Sequence, residues 1–135
     1  LDYSFIVGKE DGSQPIDAQT PGWGGKEFRN QLIILKHFIE AFDFIIMQPQ
    51  PVYIKHHDYT MQMMCDEGRQ YAGYLDDSRI QSVELDVPAG EYMVEWKDPV
   101  TGKVLGKKAA KSSFGKINLE VPSFKEDIAL RITLQ

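Results

Sequence analysis

Tyr92, Val94 and Trp96 alternate with Glu91, Met93 and Glu95, the period of two that marks a strand with one buried face. Asp98-Pro99 and Thr101-Gly102 follow with turn chemistry, so EYMVEWKDPVTGKVLG (Glu91 to Gly106) predicts a strand, a turn and a returning strand. The same alternation runs through Ile117, Leu119 and Val121, and again through Ile128, Leu130, Ile132 and Leu134. Together these patterns predict strands at 52–57, 61–65, 70–75, 81–87, 91–96, 116–121 and 127–134, with a short piece near Val104. Turn signals such as Asp76-Asp77-Ser78 and Pro88-Ala89-Gly90 join them. No helical period returns to supply crossovers, so the strands should pack as two antiparallel sheets.

The first third of the chain is different. Residues 2–7 (DYSFIV) read as one more strand and open into a loop crowded with Gly, Pro, Asp and Ser. From Lys26 to Phe42, Phe28, Leu32, Leu35, Ile39 and Phe42 recur at intervals of three and four, which predicts an amphipathic helix over 26–42. Ile33, Ile34 and Phe38 widen its apolar face beyond one stripe, so it wants partners on two sides. Pro49 and Pro51 forbid further helix. The expected fold is therefore mainly β: an antiparallel two-sheet β-sandwich with one N-terminal amphipathic helix. The expected organisation is a strand-loop-helix segment, 1–47, followed by a sandwich domain, 48–135.

The 135 residues are 42% apolar, enough for the core of one ordinary domain. A formal charge of −5 offers no basic surface for phosphates, which argues against nucleic acid and anionic membranes as partners. The apolar run Phe44 to Met47 is too short to span a bilayer. The single cysteine, Cys65, cannot form an intramolecular disulfide and, within a strand, reads as a small core hydrophobe.

Candidate chemistry is sparse. His56-His57-Asp58 suggests a metal cluster, but neighbours on a strand point to opposite faces, and no CxxC or HExxH spacing supports one; no metal and no cofactor are expected. Glycosidic cleavage needs two carboxyls held roughly 5 to 10 Å apart. Glu10 and Asp11 sit where a strand opens into a loop, and Glu10 is a weak catalytic candidate without an opposing carboxylate. Trp23, Tyr71, Tyr74, Tyr92 and Trp96 could stack on sugar rings. Trp96 shares its strand face with Val94 and Tyr92 and is expected in the core, whereas Trp23 and Tyr74, flanked by loop residues, are the candidates for carbohydrate contact.

DYSFIVGKEDG, the Gly-rich segment leading into KEFRNQLIILKHFIEAFDF, RQYAGYL and YMVEWKDPVTGKV together resemble the carboxy-terminal end of apiosidase-like (β/α)8-barrel glycoside hydrolases. In that family the last barrel strand and helix lead into a small β-sandwich, of the glycosidase C-terminal or immunoglobulin-like type, sometimes labelled collagen-binding. The resemblance implies that residues 2–7 match the last barrel strand, 28–42 the last barrel helix and 91–102 the sandwich hairpin. The 1–47 segment cannot supply the rest of a barrel, so the chain is not expected to be active alone. It implies a non-catalytic module that is structural or touches carbohydrate. The alternatives are a contribution to an active site completed by another chain, and a protein-binding module. The wide helix 26–42 is expected to meet a barrel domain or a second copy of the chain, and the resemblance leans towards a secreted or periplasmic protein.

Overall fold

The computed structural model describes residues 25–135. A 16-residue helix, α1 (Gly25–Glu40), carries the three-and-four spacing of Phe28, Leu32, Leu35 and Ile39. Glu27 lies in its first turn and His37 in its last, the arrangement that the helix dipole favours. Lys36 and Glu40 pair at 3.7 Å one turn apart. The helix stops two residues short of the predicted Phe42. That phenylalanine is buried and belongs, with everything after it, to a separate compact unit, Phe42–Gln135. Among the described residues no helix is long and apolar enough to cross a membrane.

The second unit is the expected antiparallel β-sandwich. Nine strands follow a 3-10 turn at Phe44–Ile46: β1 (Gln48–Pro49), β2 (Val52–Ile54), β3 (Tyr59–Asp66), β4 (Gln70–Leu75), β5 (Ser82–Asp86), β6 (Gly90–Lys97), β7 (Val104–Ser112), β8 (Lys116–Glu120) and β9 (Ile128–Leu134). Seven form one sheet in the order β1-β3-β4-β9-β6-β7, with β2 also paired to β3, and β5 and β8 form the second. Every pairing is antiparallel.

The core lies between the sheets and follows directly from the alternation. Met61, Met63 and Cys65 of β3, Tyr71 and Leu75 of β4, Tyr92, Val94 and Trp96 of β6, and Ile128, Leu130 and Ile132 of β9 face inward. Val83 and Leu85 of β5 and Ile117 and Leu119 of β8 meet them from the small sheet. Each buried aliphatic side chain contributes about 1.5–3 kcal/mol of transfer free energy. Gly73, between Tyr71 and Leu75, stands where a Cβ would come within 2.9 Å of the Met61 methyl and 3.3 Å of Leu130, so the core closes on β4 only because a side chain is missing there.

Two local departures have physical causes. The predicted strand 52–57 ends at Ile54; residues 55–57 form a 3-10 turn and Asp58 takes a left-handed conformation at φ 48°, its carboxylate accepting the Tyr53 hydroxyl at 2.8 Å. The short piece foreseen near Val104 is a nine-residue strand. The hairpin before it closes as its sequence predicts. The Asp98 carboxylate accepts the Val100 and Thr101 amides at 2.8 and 3.0 Å, and Gly102, at φ 71°, donates to the Asp98 carbonyl.

Candidate functional site

Outward positions of β4 alternate with its core residues, which puts Tyr74 on the outer surface of the large sheet opposite Ala129 of β9. Beside so small a neighbour the ring keeps 39% of its surface open. Its hydroxyl donates to the Asp127 carboxylate at 2.7 Å. At the same end, where β3 begins and β4 finishes, the Tyr59 hydroxyl donates to the Asp76 carboxylate at 2.6 Å and accepts the Asp76 amide at 3.2 Å. Tyr53, exposed on β2, holds Asp58 in the same way. Asp77 completes the group, gripped by the Arg79 guanidinium through Nε at 2.9 Å and Nη2 at 2.6 Å.

The electrostatics follow from these contacts. The hydrogen bond to Asp127, reinforced by burial and by the Asp127 charge, pushes the Tyr74 hydroxyl up to about 12. The bonds from Arg79 hold the Asp77 carboxyl at about 2. The Tyr59 hydroxyl is raised by burial and by its bond to Asp76. Each tyrosine thus fixes one oxygen of a carboxylate, so rings and acceptors are held in place before any ligand arrives. Flat apolar rings beside ordered carboxylates are the combination that packs on a sugar face and accepts its hydroxyls.

The tyrosine environment can be titrated. The unfolded chain releases a tyrosine proton near 10 and folded Tyr74 near 12, so this contribution to stability is intact below pH 10 and is lost as pH rises from there through about 12. In a spectroscopic titration Tyr74 is expected to ionise late, and Asp127→Asn to bring it back towards 10. An unchanged Tyr74 titration in that variant would remove Asp127 as its partner.

The remaining sequence candidates separate cleanly. Tyr71 and Tyr92 are fully buried and cannot stack on a ligand, and Trp96 lies in the core as expected. Glu10, Asp11 and Trp23 lie outside the described residues. His56 and His57 occupy the 3-10 turn rather than a strand, and among the described residues no group of three or more His, Cys, Asp and Glu is placed to hold a metal. Cys65 is buried, its thiol donating to Gln50 Oε1 at 2.7 Å and pushed up by burial and by the nearby Glu67 and Asp66 charges. Sequence reasoning singled out Tyr74 as a candidate and did not single out Tyr53, Tyr59, Asp76 or Asp127, which lie around it or form the same kind of tyrosine–aspartate pair. Asp76 had read as turn chemistry, and only folding reveals a partner 53 residues away.

The geometry defines an antiparallel β-sandwich with a tyrosine–aspartate end. No model of a known protein family matches the chain, and no curated protein does. Among solved structures, the fold recurs within a glycoside hydrolase at 14% identity and a TM-score of 0.56, the match covering 90% of this chain and 31% of that one. It recurs also within a family 5 glycoside hydrolase from Bacteroides vulgatus, at 15% identity and a TM-score of 0.57, covering 90% of this chain and 30% of the other. The chain therefore spans less than a third of the length of these enzymes, and what it shares with them is the fold of a part.

Proposed function

We propose that this chain is a non-catalytic β-sandwich module of a glycoside hydrolase and that it contacts carbohydrate through Tyr74 and its neighbours. The observation that carries the reading is the recurrence of nearly the whole chain as a minor part of two glycoside hydrolases. The Tyr74 ring with its fixed Asp127 and Asp76 partners gives that module a surface suited to a neutral sugar. The apiosidase-like barrel enzymes, suggested by the hairpin signature of residues 91–102, are the proposed parent family; the collagen-binding label sometimes used there belongs to the same resemblance.

The isolated chain is expected to release no sugar from a panel of plant polysaccharides. It is expected to bind at least one of them, with Tyr74→Ala weakening that binding by about ten-fold, the loss of one stacked ring and its hydroxyl. Measurable hydrolysis by the purified chain defeats the non-catalytic reading. Binding untouched by the substitution defeats the assignment to Tyr74.

A further inference from the structure

At the opposite end of the sandwich from Tyr74, the chain passes from β7 in the large sheet to β8 in the small one. It does so through the two-residue turn Phe114-Gly115, closed by a bridge between Ser113 and Lys116. Both central residues have positive φ, 60° at Phe114 and 82° at Gly115, the arrangement of a type I′ turn. Such a turn selects Asn-Gly or Gly-Gly, and a bulky aromatic in the left-handed region is a strained choice. The ring gains nothing from the fold in return. Phe114 is fully exposed at 103%, against 38–81% for the other exposed large apolar side chains among the described residues, and a Cβ added at Gly115 would meet open space.

The turn is nevertheless held firmly from below. Ser112, buried at the end of β7, donates its hydroxyl to the Val87 carbonyl at 2.9 Å and has the Lys116 carbonyl at 3.2 Å. The Val87 amide donates to the Gly115 carbonyl at 3.0 Å, so the base of the hairpin is tied to the residue that follows β5. A strained, exposed aromatic on an anchored turn breaks the local rules that the neighbouring segments obey, and such breaks concentrate at functional positions. The ionic groups beside it select no charged partner. Lys116 is paired with Glu84 and Asp86, and Lys111 stands opposite Glu91.

The footprint decides what the ring meets. A protein interface surrounds its aromatic anchor with further contacts that keep water out, whereas the residues flanking Phe114 in this turn are Ser113, Gly115 and Lys116. One flat ring without an apolar rim matches the apolar face of one sugar ring. We propose that Phe114 is a second carbohydrate-stacking residue, which lays its ring on a neutral sugar of a polysaccharide at the end of the module away from Tyr74. Tyr74 lies level with Lys97, the last residue of β6, and Phe114 lies beyond Gly90, the first. The eight residues of β6, rising about 3.3 Å each, put roughly 23 Å between the two ends. The two rings therefore hold separate stretches of polysaccharide, and linked contacts of that kind gain most on a solid whose chains lie packed together. The inference rests on the carbohydrate-contacting reading given above.

The test is a depletion assay of the 135-residue chain on insoluble cellulose, chitin and xylan, with thermal unfolding of each variant. The wild type is expected to bind at least one of the three. Phe114→Asn, which introduces the residue that the turn prefers, should raise Tm by a few degrees while weakening that binding about ten-fold, and Phe114→Trp should keep the binding. A lower Tm in Phe114→Asn would mean that the ring supports the fold, and unchanged binding in that variant would mean that it touches no sugar; either overturns the inference. So does association with neutral phosphatidylcholine vesicles that depends on Phe114, or a dimer that Phe114→Asn dissolves in analytical ultracentrifugation, since the ring would then have a lipid or protein partner. Tyr74→Ala reads the earlier proposal separately. Binding lost there and kept in Phe114→Asn removes this inference alone, the reverse removes the Tyr74 assignment alone, and a wild type that binds none of the three removes both.

Discussion

Replacing Tyr92 by alanine is expected to cost about 3–5 kcal/mol of folding stability, the range found for emptying a buried aromatic site. Tyr92 is fully buried, its ring meets the Tyr71 ring edge-on at 6.3 Å and 72°, and its hydroxyl donates to the Pro88 carbonyl at 3.0 Å. Tyr71 in turn accepts the Gly68 amide at 2.7 Å. The two rings therefore tie the β3–β4 turn to the β5–β6 turn through the middle of the core. Against the roughly 5–15 kcal/mol that holds an ordinary domain together, the alanine variant loses a large fraction of the total. Urea denaturation should show a lower midpoint with an unchanged slope. Tyr92→Phe, which keeps the ring and removes only the hydroxyl's bonds to the Pro88 and Gly68 carbonyls, should cost about 1 kcal/mol. Equal losses in the two variants would mean that the hydroxyl, not ring packing, supplies the stability.

The core was legible because it depends on a period that is local. Tyr92, Val94 and Trp96, then Ile117 and Leu119, then Ile128, Leu130 and Ile132 each announce a buried face within a few residues, and all are buried. The hairpin turn at Asp98–Gly102 was legible for the same reason, since an Asx turn and a left-handed glycine are satisfied within their own segment. The strand β7 was not. As an edge strand paired only with β6 it buries little, and Lys107, Lys108 and Lys111 replace the apolar alternation with the charges that discourage edge-to-edge pairing. The helix end was misplaced because Phe42 continues the three-and-four spacing by coincidence; its side chain is buried in the strand unit.

The polar features were the least legible, and the reason is register. The residues that pair with Tyr59 and Tyr74 lie 17 and 53 positions away, and Glu95 meets Arg131 only because the last strand of the chain inserts between β4 and β6. A sequence states which residues alternate but not which strands become neighbours. The tyrosine end and the Glu95–Arg131 cross-strand pair are thus both products of the same central placement of β9: it brings Asp127 to Tyr74 at one strand end and Arg131 to Glu95 further along the same face.

Substituting Glu95 by leucine should destabilise the fold by about 1–3 kcal/mol, less than the 3–5 typical of breaking a fully buried ion pair because Lys107 can still turn to water. The loss has two parts that experiment can separate. Leucine fills the space but leaves Lys97 and Lys107, which the Glu95 carboxylate holds at 3.1 and 3.3 Å, without that counter-charge, and their repulsion is screened by salt, so about 1 M sodium chloride should restore part of the stability. Glu95→Gln keeps the shape and a hydrogen-bonding group while removing the charge. Its effect should therefore be smaller and most visible in the pH profile. Because Lys97 and Lys107, working against burial, depress the folded carboxyl below the 4.5 of an unfolded glutamate, its contribution is fully present above pH 4.5 and disappears as pH falls through the lower folded value. The wild-type chain should lose stability along that acid limb and Glu95→Gln should lose less. Parallel acid limbs in the two proteins, together with a leucine variant that salt does not rescue, would mean that the carboxylate is a bystander on its sheet face and that the sheet is held there by packing alone.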